Sequence, residues 1–133
     1  MSENLDLVRS IYADWERGDF ASVEWADPDI VYVRPDGPDP GSWTGLVEMA
    51  EGIRARLSAW EDFRTGAEEY RELDDGRVLV FIHQSGRGKA SGLKLGQMGS
   101  KGAVLFHVSG GKVTRLISYM GRENALADLG LQE

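Results

Sequence analysis

The spacing of hydrophobic positions changes period along the chain. Leu5, Val8, Ile11, Tyr12 and Trp15 recur at helical spacing, with Arg9, Glu16 and Arg17 elsewhere on the wheel. They predict an opening helix that Gly18 ends. Phe20, Val23 and Trp25 predict a short second helix capped by Asp19 and stopped by Asp27-Pro28. Ile30 to Arg34 alternates, which places Ile30, Tyr32 and Arg34 on one face of a strand and Val31 and Val33 on the other. Pro35 to Gly41 holds three prolines and two glycines and predicts a rigid, irregular loop. Thr44 then caps a third helix. Leu46, Ala50, Ile53, Leu57 and Trp60 form its apolar stripe, while Glu48, Glu51, Arg54 and Arg56 face elsewhere.

From Phe63 onward the pattern is that of strands. Phe63 to Leu73 is polar, as suits a sheet edge, and Asp74-Asp75-Gly76 is a hairpin turn. The strand from Arg77 carries the apolar run Val78 to His83. Leu93 to Val108 returns as the next strand, bent at Gly96, Gly99 and Gly102, and Lys112 to Met120 is the last. Glu123 to Leu129 is a closing helix ended by Gly130. Helices followed by strands signal an α+β domain over residues 1–133, with helices on one face of a curved, mostly antiparallel sheet. The strand middles are apolar on both faces, so the second face needs a cover of its own, a partner chain or a ligand.

Composition narrows the function classes. A net charge of −7 speaks against nucleic acid and against an anionic membrane surface. The chain has no cysteine, hence no disulfide and no thiol nucleophile. The acidic start lacks a signal-peptide apolar region, and no apolar run approaches the roughly 20 residues that span a bilayer, so a cytoplasmic protein is expected. The Gly86–Gly92 stretch has neither the spacing nor the following helix of a phosphate-binding loop. His83 and His107 on adjacent strands lack a suitably spaced third ligand, so no metal and no cofactor are expected.

Several stretches together carry a family likeness. They are Tyr12 and Trp15 ahead of Arg17-Gly-Asp-Phe20, then Trp25-Ala-Asp-Pro-Asp-Ile30, Gly41-Ser-Trp-Thr-Gly45 before the long helix, and Gly111-Lys-Val-Thr-Arg-Leu116. With these the chain resembles the nuclear-transport-factor-two-like superfamily in its SnoaL-like branch. The resemblance implies a cone-shaped α+β barrel enclosing an apolar pocket, often dimeric through the convex sheet face. It implies a scaffold shared by polyketide cyclases, ketosteroid isomerase, limonene-type epoxide hydrolases, dehydratases and non-catalytic binders. The family's catalytic carboxylates do not carry over. Arg34 stands where the isomerases hold a base, Ile11 where they hold a tyrosine with Tyr12 one step around, and Val104 near their protonated acid. Ser118 stands where the cyclases and epoxide hydrolases hold an aspartate.

The candidate residues follow from side-chain chemistry. Arg34 on an apolar strand would bind a substrate carboxylate, enolate or carbonyl oxygen, or else pair with Asp36, Glu69 or another local acid. His83 would be a general base, or a core or interface histidine. Tyr12, Trp15, Tyr32, Trp60, Gln84, Ser118 and Met120 are expected in the pocket wall, with packing alone as the plainer role of the aromatics. Two functions stay open: an enzyme or binder of a small hydrophobic or carbonyl-like molecule, and a homodimer or protein-interaction module of the same fold.

Overall fold

The computed structural model describes residues 3–20, 22–36, 40–58, 60–73, 76–88 and 101–131. The elements run α1 (Glu3–Glu16), β1 (Ala26–Arg34), β2 (Gly41–Thr44), α2 (Leu46–Ser58), β3 (Trp60–Glu72), β4 (Arg77–Gly88), β5 (Lys101–Ser109), β6 (Lys112–Tyr119) and α3 (Arg122–Leu129). Among the described residues the six strands form one sheet in the order β2-β1-β6-β5-β4-β3. All neighbours are antiparallel except β1 and β6, which run parallel. The sheet is curved and open, and with its three helices it makes a cone-shaped α+β fold.

Alternation sorts the sheet into two faces. Val78, Val80, Ile82, Val104, Phe106, Leu116 and Tyr32 point to the inner face, where they pack with Val8, Ile11 and Tyr12 of α1 and Met49 of α2. Leu79, Phe81, Ala103, Leu105 and Tyr119 point to the outer face and pack with Ala125 and Leu126 of α3. The second cover that the apolar strands require is therefore α3, supplied by the chain itself. The Arg71 and Arg122 guanidinium groups complete it, each 4.6 Å from the centre of the Phe81 ring. Among the described residues no helix is long and apolar enough to cross a membrane.

Three expectations about the elements change. Among the described residues between α1 and β1 there is no helix: Trp25 sits in a turn with its indole donating to the Ser22 carbonyl at 2.9 Å, and β1 already begins at Ala26. Asp27-Pro28 lies inside that strand, where the register with β6 breaks between Ala26 and Val31. Such an irregularity is where a strand tolerates proline. Gly41 to Thr44 is a strand, paired to β1 from Val31↔Thr44 to Arg34↔Gly41. It leads into α2 through Gly45 at φ 88°, and the Glu48 carboxylate accepts from Thr44 N at 3.0 Å. The turn at 74–75 and the proposed strand residues 93–100 lie outside the described residues.

A clamp joins the two faces. Asp36, just past β1, accepts from Met120 N at 2.7 Å, Gly121 N at 3.0 Å and Asn124 Nδ2 at 2.6 Å. Its carboxylate thus closes the end of β6 and the first turn of α3, where a negative charge suits the helix dipole.

Candidate functional site

Between α1, α2 and the inner sheet face lies a cavity of about 500 Å³, open mouth included. α1 supplies Tyr12 and Trp15, and Phe20 follows it. α2 supplies Ile53, Arg56 and Leu57, and β1 supplies Tyr32. The other strands supply Phe63, Thr65, Ile82, Gln84, Val104, Leu116 and Ser118. The wall is largely apolar and rich in aromatic rings. Tyr12 packs edge-on against Trp15 and Phe106, with centroids at 4.9 and 5.9 Å, which fixes the orientation of its ring.

The polar groups gather in one region. Arg56 Nη2 donates to Gln84 Oε1 at 3.2 Å and to Met120 Sδ at 2.8 Å. Ser118 and Gln84 sit on inner-face positions of β6 and β4 and line the same space. Burial pushes the Tyr12 hydroxyl well above the usual phenol value, with the neighbouring Tyr70 and Tyr32 adding to the effect, so Tyr12 stays a hydrogen-bond donor across the physiological range. Burial also lowers Arg56, against the pull of Tyr32, yet a guanidinium keeps its proton in proteins.

The expected wall residues Tyr12, Trp15, Tyr32, Gln84 and Ser118 all line this cavity. Met120 stands at its edge as the acceptor for Arg56. Trp60 opens β3, and its side chain lies outside the described residues. Arg34 is only 2% exposed but is not in the wall. Its guanidinium lies 4.3 Å from the Trp43 ring and 5.6 Å from the Tyr32 ring, and Trp43 in turn stacks on Tyr32 at 5.3 Å. Asp36 is engaged with Met120, Gly121 and Asn124, and Glu69 binds Arg71 at 2.6 Å.

His83 is not brought to the cavity. It pairs with Gly66 on the outer side of the sheet, while its neighbours Ile82 and Gln84 face inward. Its imidazole is exposed, 3.6 Å from Glu68. His107 is likewise off the site, beside Arg77 and Arg115, and burial lowers its pKa.

The residue the sequence reading misplaced is Arg56. The inward face of α2 is centred on Met49 and Gly52, its two buried residues, and Arg56 lies one turn beyond them. Gly52 is the sign of this rotation. A Cβ there would come within 2.8 Å of the Trp43 ring, so the glycine lets Trp43 lie flat against the helix.

A model of the SnoaL-like domain matches residues 8–116. The chain belongs to this family. Solved structures similar to this SnoaL-like domain share its fold at low identity. One is an NTF2-like protein of unknown function from Burkholderia pseudomallei K96243, 19% identical, with 96% of this chain and 97% of that one covered and a TM-score of 0.76. Another is TerC, co-crystallised with polyporic acid, 21% identical over 96% of this chain and 98% of that one, with a TM-score of 0.72. A third, with a ketosteroid-isomerase-like fold, comes from Catenulispora acidiphila DSM 44928 in complex with trimethylamine. It is 16% identical, covers 96% of this chain and 94% of that one, and has a TM-score of 0.67. No curated protein matches the chain significantly.

Proposed function

We propose that this SnoaL-like domain binds a small, largely apolar molecule in the cavity between α1, α2 and the inner sheet face. The observation that carries the reading is the cavity itself: an aromatic-rich wall with its few polar groups gathered around Arg56, Gln84 and Ser118. The apolar wall supplies affinity, and the polar group fixes orientation.

The chemistry of the wall bears on catalysis. Its described residues include no carboxylate and no imidazole, so they offer no strong general base. They offer donors: the Arg56 guanidinium and the Tyr12 hydroxyl, suited to holding negative charge on a carbonyl-like oxygen. Arg34 acts in this reading from behind the wall, holding Trp43 and Tyr32 in place.

A panel of planar aromatic and polycyclic molecules, polyporic acid among them, tests the reading through thermal melts. A ligand at one hundred times its Kd adds about 2.7 kcal/mol of stability and raises Tm measurably. Tyr12→Phe, in the wall, is expected to weaken the shift, and His83→Gln, on the far face, to leave it unchanged. A flat response across the whole panel defeats the reading.

A further inference from the structure

Arg56 puts a permanent charge into a wall that is otherwise apolar or neutral. Among the described residues its side-chain acceptors are the Gln84 amide oxygen and the Met120 thioether, both uncharged and the second a weak acceptor. The guanidinium has five N–H donors, and both of these contacts run through Nη2. A partly buried cation served only by neutral acceptors keeps much of its desolvation cost.

The groups that bear on it are few. Tyr12 and Tyr32 favour its charge from the cavity side, and Arg34 opposes it as a second cation. Asp36 also favours it, but three donors occupy the Asp36 oxygens. Among the described residues of the wall Arg56 is the one guanidinium, and no carboxylate lines the wall beside it.

We infer that the molecule bound here is an anion: an aromatic or polycyclic body against Trp15, Phe63 and Tyr12, carrying a carboxylate or an acidic enol that seats on Arg56. A guanidinium meets such a group with two parallel N–H···O bonds, and the thioether contact is the one it gives up. This inference rests on the cavity being a ligand site and adds the charge of the ligand.

The test compares naphthalene-2-carboxylate with naphthalene-2-carboxamide, equal in shape and different in charge, by titration calorimetry on the whole chain. The carboxylate is expected to bind at least about tenfold more tightly, with the advantage shrinking as salt is added. In Arg56→Met the preference disappears while the amide keeps its affinity, and Arg56→Gln gives the same result if the first variant folds poorly. Equal affinity for both probes, or preference for the amide, overturns the inference and leaves the cavity reading standing. Binding of neither probe, with no hit from the wider panel, removes the cavity reading and this inference with it.

Discussion

Replacing Asp36 by alanine removes the clamp between the end of β6 and the start of α3. Three donors lose a charged acceptor: Met120 N at 2.7 Å, Gly121 N at 3.0 Å and Asn124 Nδ2 at 2.6 Å. Hydrogen bonds to charged groups contribute about 1.5–3 kcal/mol each when water is excluded. Asp36 is half-buried and Asn124 exposed, so water takes over part of the loss. Halving the sum leaves about 2–4.5 kcal/mol, and the loss of a favourable charge at the α3 N-terminus acts in the same direction. Urea unfolding followed by circular dichroism measures it. The midpoint should fall with the slope unchanged, since the surface exposed on unfolding stays the same. Asp36→Asn should lie between wild type and alanine, because an amide oxygen can keep at most the two bonds that share Oδ2. A loss below about 0.5 kcal/mol, the range of an ordinary surface substitution, would refute the view that this carboxylate holds the two ends together.

Two further outcomes are expected from the fold alone. Gly102→Ala would place a Cβ 2.5 Å from the Tyr119 carbonyl oxygen, a backbone atom that cannot swing aside, and should cost about 1–3 kcal/mol in the same assay. Tyr119, buried and donating to Asp128 Oδ2 at 3.0 Å, has its pKa pushed up to about 12, by burial first and by Asp128 second. The unfolded chain releases this proton nearer the ordinary value of about 10. Tyr119 therefore contributes stability that is fully present below pH 10 and is lost as pH rises through about 12. In Tyr119→Phe that part of the pH dependence should vanish, as Tm measured against pH will show.

The elements with a strong period were legible in the sequence. α1 announced itself through Val8, Ile11 and Tyr12, and β4 to β6 through β-branched runs whose two faces the structure separates as alternation requires. Alternation also set His83 opposite Ile82 and Gln84. That placement alone argued against a shared site, because those two neighbours are the ones facing the cavity. β2 was not legible. Its four residues have no apolar period of their own and become a strand only by pairing with β1, a long-range fact. Arg56 was hidden by the habit of sending every charge outward. Its side chain instead runs past Phe63, with the guanidinium carbon 5.9 Å from the ring centre, and ends among the polar groups of the wall.

The closing helix has a consequence for how this chain keeps company. Leu79, Phe81, Leu105 and Tyr119 are each at most 4% exposed because α3 lies across them. The last described helix thus covers the back of the sheet from within the chain. A chain shortened at Gly121 would bare a greasy strip on the back of its sheet, and its fate would then be set by how fast the strip finds another surface.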